Sequence, residues 1–135
     1  MVRRVAMVFG IVLLLVGILG LVSAGGMSMG ADPAPAMLLG MFHVNLLHNI
    51  VHTLFGVWGL VASRSFAGAK QYAKIGGVIY LFLACLGFLA PTTFGFIPIG
   101  GNDIWLHALV GLVLAGVGFT AKQEMATPAP AGAKM

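Results

Sequence analysis

Of the 135 residues in this chain, 60% are hydrophobic and 7% charged, and the mean hydropathy is +1.06. A soluble domain carries about a quarter of its residues as charges, so seven Lys and Arg with three Asp and Glu exclude a soluble enzyme, a disordered chain and a nucleic-acid module, despite a pI near 9.7. The composition points to the bilayer as solvent, and the single Cys85 leaves no internal disulfide and no cysteine metal cluster.

The charges divide the chain into uncharged blocks, each able to supply the ~20 apolar residues of a membrane span. The expected fold is an all-α membrane protein: an antiparallel bundle of four transmembrane helices within residues 1–125, then a disordered cytoplasmic tail, 126–135. The first span is placed over residues 5–24, with Gly10, Gly17 and Ala24 at heptad spacing for close helix approach. Residues 1–24 also have the outline of a signal peptide ending in Val22-Ser23-Ala24, but an apolar run of near-span length favours a retained helix. A Gly/Met/Pro-rich loop leads to Asp32-Pro33, which reads as a helix start for the second span, 36–62. The third span is placed over 74–90 and the fourth over 103–121, with Asn102 or Asp103 as its N-cap.

Orientation follows from the basic residues. Arg3, Arg4, Arg64, Lys70, Lys74, Lys122 and Lys134 all fall on one side of the four-span arrangement, and the other two loops hold only Asp32 and Asp103. The positive-inside rule puts both termini in the cytoplasm and the protein in a cytoplasmic membrane as a multi-pass chain. Trp105, Trp58 and Tyr72 fall at depths where aromatic belts form.

Polar side chains are costly in hydrocarbon, so their helical faces matter. At 3.6 residues per turn, Asn45, His48, Asn49, His52, Gly56, Gly59 and Ser63 share one face of the second span, with His43 and Thr53 off it. On the fourth, Asp103, His107, Gly111 and Gly118 share a face and Trp105 points away. Counted back from Arg64 and Lys122, His48 comes level with His107 and Asn45 level with Asp103, with His52 about 6 Å deeper.

Three readings of this cluster follow. In the leading one, Asn45, His48, Asn49, His52, Asp103 and His107 are a structural clamp of interhelical hydrogen bonds joining the second span to the fourth, each bond worth about 0.6 kcal/mol. In the second, His48, His52, His107 and Asp103 hold Zn or Cu, or His48 and His107 ligate a haem or a chlorin pigment. In the third, the ionisable groups mark a proton or ion path, with Tyr80 and Cys85 its only further stations. Met27, Met29, Met37 and Met41 gather near His43, where thioethers suit Cu(I) capture.

The segments Val44-Asn45-Leu46-Leu47-His48-Asn49-Ile50-Val51-His52 and Asn102-Asp103-Ile104-Trp105-Leu106-His107 resemble an uncharacterised family of small four-span bacterial membrane proteins, filed as a domain of unknown function. Its motifs are VNxxHNxxH on the second span and NDxWLH opening the fourth. The resemblance covers most of residues 1–121 and implies a four-helix bundle, with Asn45, His48, His52, Asp103 and His107 matching the polar motif. It implies no activity, substrate or cofactor. The function expected is that of a structural or accessory membrane subunit, not an enzyme. Its partners would be lipid and either a larger membrane complex or a second copy, with no nucleic acid.

Reporter fusions test the orientation: reporters at both ends are expected to read as cytoplasmic, and a reporter exported from either end contradicts the charge argument.

Overall fold

The computed structural model describes residues 1–31 and 36–123. Four helices dominate it: α1 (Val2–Val22), α2 (Leu46–Ala62), α3 (Phe66–Leu89) and α4 (Asn102–Thr120). A two-stranded ribbon, β1 (Ala36–Leu38) and β2 (Phe42–Val44), precedes α2, and one 3-10 turn at Thr93–Gly95 lies between α3 and α4. α1, α3 and α4 are long and apolar enough to cross a membrane, and α2 is a shorter apolar helix of 17 residues. Their outward faces carry exposed Ile11, Leu15, Leu54, Val78, Phe82, Leu109 and Leu112, a pattern suited to lipid rather than water.

Local signals set the helix ends. The Ser65 hydroxyl accepts the Gly68 N–H at 3.0 Å and caps α3, so that helix begins eight residues before the expected Lys74. Lys70 and Lys74 do not interrupt it, because their side chains reach to the finish of α4. The Lys70 ammonium donates to the Ala121 carbonyl at 2.6 Å, and that of Lys74 lies 5.1 Å from the centre of the Phe119 ring. Likewise Arg3 Nε donates to the Ser63 carbonyl at 2.9 Å. The starts of α1 and α3 thus share a basic end with the finishes of α2 and α4.

The second expected span is corrected most. Residues 36–44 are not helical but form an antiparallel hairpin, with Leu38 opposite Phe42 and Met37 opposite His43. Leu39 (φ 53°) and Gly40 (φ 68°) both occupy the left-handed region, and the Met41 N–H closes the turn on Leu38 O at 3.1 Å, the pattern of a hairpin turn. Ala36, Leu38 and Val44 bury against Val16 of α1, so the run is apolar because it packs on the bundle. Asp32 and Pro33, the expected helix start, lie outside the described residues, as does the 126–135 tail.

The bundle consists of two tight antiparallel pairs. In α1–α2, a Cβ placed on Gly10 would lie 2.7 Å from the Leu60 nitrogen, and one on Gly56 would collide with the Leu14 backbone. In α3–α4, a Cβ on Gly111 would lie 2.7 Å from the Leu81 nitrogen, and one on Gly77 would strike the Ala115 backbone. Backbones approach this closely only where side chains are absent, which is the usual packing device in lipid. Ala24 plays no such part: it lies past the end of α1 and is exposed, and Gly20 takes its place. Between the pairs the core is made of larger groups, including Tyr72, Tyr80, Leu114 and Phe55. Tyr72 is fully buried rather than at an interfacial belt, whereas Trp105 is 68% exposed.

These seams give a direct prediction. Gly111→Leu should destabilise the protein by at least the ~1–3 kcal/mol typical of overpacking and lower its thermal midpoint in detergent. Gly116→Leu should leave it near wild type, because a Cβ there meets nothing within 4 Å. Equal midpoints for the two variants contradict the paired arrangement.

Candidate functional site

The polar residues of α2 arise from one cap and one helical face. Asn45 ends the hairpin in extended conformation, and its Oδ1 accepts the His48 N–H at 2.9 Å, starting α2. The helical repeat then places His48, Asn49, His52, Gly56 and Gly59 on the buried side. In α4 the same repeat buries Asp103, His107, Gly111 and Gly118. Asn102 and Asp103 are not the cap of α4, which is Gly101 in the left-handed region (φ 63°). Asp103 lies in the first turn instead, where a carboxylate meets the positive end of the helix dipole.

Three histidines converge. The His48 and His52 ring centroids are 4.6 Å apart, with His107 at 6.2 Å from the first and 6.4 Å from the second. Each offers a nitrogen such that all three nitrogens lie within 4.8 Å of one another. Asp103 Oδ2 stands 3.6 Å from His48 Nε2, too far for a hydrogen bond. All four residues are at most 5% exposed.

Asn45 and Asn49 belong elsewhere, which corrects the expected six-membered cluster joining α2 to α4. The Asn45 amide donates to Phe96 O at 2.6 Å and Gly30 O at 3.1 Å, tying the loop before α4 to the segment after α1. Asn49 faces α1: its amide donates to Gly26 O at 3.0 Å, and its side chain fills the space over Gly20. Asn45 makes no hydrogen bond with Asp103, the residue expected at its level.

What remains at the centre is short of partners. His48 has the backbone of His43 and Pro98 beside its ring, yet both of its nitrogens, Nδ1 of His52, Nδ1 of His107 and Asp103 Oδ2 are buried without a hydrogen-bond partner among the described residues. Buried polar atoms are nearly always paired, because leaving one unpaired costs about 1–3 kcal/mol. Asp103 is also the one Asp or Glu among the described residues, and every described Lys and Arg belongs to the basic end. Among the described residues no Lys or Arg stands near this carboxylate, which calls for a counter-charge.

The alternatives fare differently. For a haem or chlorin held between His48 and His107, the cavities beside the cluster are small: about 220 Å³ each, below the roughly 300–1,000 Å³ of ordinary ligand pockets. Cys85 is exposed on α3 and takes no part. The hairpin sets Met37 opposite His43, but Met27, Met29, Met37 and Met41 are all about half exposed or more.

Residues 3–120 match the family described as Domain of unknown function (DUF4383). The chain belongs to DUF4383. No curated protein and no solved structure matches it, so what this DUF4383 chain does must be argued from the histidine cluster itself.

The ties made by Asn45 carry a prediction. Asn45→Asp keeps the acceptor that caps α2 but removes the amide donor. The loss should cost about 1–3 kcal/mol and increase hydrogen exchange in residues 91–101. Unchanged exchange there contradicts the assigned role.

Proposed function

We propose that this protein is an accessory integral membrane protein, not itself an enzyme, that holds one transition-metal ion on His48, His52 and His107. The observation that carries this reading is the convergence of three buried imidazoles that bring a nitrogen each within 4.8 Å of the others, with both nitrogens of His48 and Nδ1 of His52 and His107 unpartnered among the described residues. A tetrahedral zinc ion has Zn–N distances of about 2.0–2.1 Å, which sets its ligand nitrogens about 3.3 Å apart. The three rings reach that spacing by shifts of an ångström or less. Asp103 beside His48 then serves as a fourth ligand or as the partner that orients the imidazole, and the ion supplies its counter-charge. Imidazole with one carboxylate suits Zn and Cu.

The clamp reading accounts for less. A clamp needs hydrogen bonds between α2 and α4, and the polar side-chain contact that spans them is His48–Asp103, at 3.6 Å. The protein's place in a cytoplasmic membrane with both termini inside is part of the proposal, supported by Arg3, Arg4, Arg64, Lys70, Lys74 and Lys122 gathering at one end of an apolar bundle. Its exposed apolar faces would meet lipid or a larger membrane complex.

Metal analysis of the detergent-purified protein after incubation with Zn²⁺ or Cu²⁺ and desalting tests the reading. About one ion per chain is expected for wild type, with His107→Ala and His52→Ala losing affinity at least 100-fold. His43→Ala, on the exposed hairpin, should retain the ion. Retention by His52→Ala and His107→Ala, or no stoichiometric ion in wild type, overturns it.

A further inference from the structure

The two helix pairs do not close completely on one another, and the gap between them is apolar. On one side a cavity of about 220 Å³ lies between α2 and α3, walled by Val51, Phe55, Ile79 and Leu83 and roofed by Ile97 and Ile99 of the loop before α4. On the other side a second cavity of about 220 Å³ lies between α1 and α4. His52, His107 and Tyr80 line both. Tyr80 packs between the cluster and Phe55, its ring 5.3 Å from that of His107 and 5.5 Å from that of Phe55.

The hydroxyls of Tyr72 and Tyr80 are both buried without a hydrogen-bond partner among the described residues, and of the two only Tyr80 lines these cavities. Tyr80 is 2% exposed, and its oxygen is buried with no hydrogen-bond partner among the described residues. A metal ion taking one nitrogen from each histidine does not account for it. A buried O–H at the wall of an apolar cavity is a donor that awaits an acceptor.

We infer that the cavity between α2 and α3 binds the ring of a membrane-soluble quinone, with a ring carbonyl accepting a hydrogen bond from Tyr80. The head must be a neutral acceptor, because no Lys or Arg lies at this end among the described residues and an anionic carboxylate or phosphate would be buried without a counter-charge. The body must be a compact ring: a dry cavity of about 150 Å³ admits benzene, so about 220 Å³ suits one substituted ring rather than an extended acyl chain. Phe55 and Tyr80 supply aromatic walls, against which a flat ring packs by edge or offset stacking. Entry is lateral, because Val51 is exposed and Ile79 and Leu83 are only partly covered on the lipid-facing side. The inference goes beyond the metal reading and needs no ion at the histidines.

The test uses tetramethyl-1,4-benzoquinone, whose fully substituted ring does not add to the exposed Cys85 thiol, with full-length protein in detergent after chelator treatment. Equilibrium dialysis should show saturable binding of one quinone per chain. Tyr80→Phe, which keeps the ring and removes the hydroxyl, should weaken binding about 5- to 10-fold, the loss of one hydrogen bond. Leu83→Trp, which fills the cavity, should abolish it. The hydrocarbon 1,2,4,5-tetramethylbenzene has a similar ring and no oxygen, so its affinity should be lower and unaffected by Tyr80→Phe. Binding of the quinone that is non-saturable, or indifferent to both Tyr80→Phe and Leu83→Trp, overturns the inference, as does equal affinity for the hydrocarbon. Zinc content measured on the same variants separates the two proposals. A chain that loads zinc and ignores the quinone refutes this inference alone, and one that binds the quinone through Tyr80 but takes up no zinc refutes the metal reading alone.

Discussion

Close backbone approach within each of two helix pairs is the constraint on which the rest of this structure depends. In lipid, helices gain little from merely burying apolar surface against one another, and association rests on contact at short range. Gly10 and Gly56 provide that contact for α1 and α2, and Gly77 and Gly111 for α3 and α4. Between the pairs, large side chains such as Phe55, Tyr72, Tyr80 and Leu114 enter the contact, Tyr72 against Gly59 and Phe55 against Gly76. Large groups leave gaps, and the gap away from the basic end is where the histidines and Asp103 project.

The site is therefore held from outside rather than by its own bonds. Asn45 starts α2 through its carbonyl oxygen and fastens the loop before α4 through its amide, fixing the height and rotation of His48 and His52. Asn49 locks α2 to the segment after α1. Gly111 and Gly118 seat α4 on α3 and thereby set His107. With its carriers positioned in this way, the imidazole group retains nitrogens without partners among the described residues, an arrangement suited to binding a ligand and wasteful if it serves only as a clamp.

Much of this was legible in the sequence, for identifiable reasons. The 3.6-residue repeat places His48 and His52 on one face of α2, and Asp103 and His107 on one face of α4, and burial follows those faces. The low charge fraction and the one-sided basic residues required four apolar helices with a basic end. The hairpin at Ala36–Val44 was not legible as such, because a run of apolar residues satisfies the length arithmetic of a span equally well. The signal against a helix was Leu39-Gly40, two residues in left-handed conformation. The roles of Asn45 and Asn49 were hidden for another reason: a helical wheel gives a direction but not the neighbour in that direction, and α1, not α4, is the close partner of α2. From the sequence Tyr80 stands out only as a relay station, since its burial beside His107 depends on how α3 rotates against α4.

The claim at the centre of this account is that three imidazoles share one ion inside the bundle. X-ray absorption spectroscopy of the zinc-loaded, detergent-purified protein tests it most directly. The account predicts a first shell with three imidazole nitrogens at about 2.0–2.1 Å and the outer-shell scattering pattern of histidine rings. A shell of oxygen alone, or one with sulfur scatterers from methionine or Cys85, would contradict it.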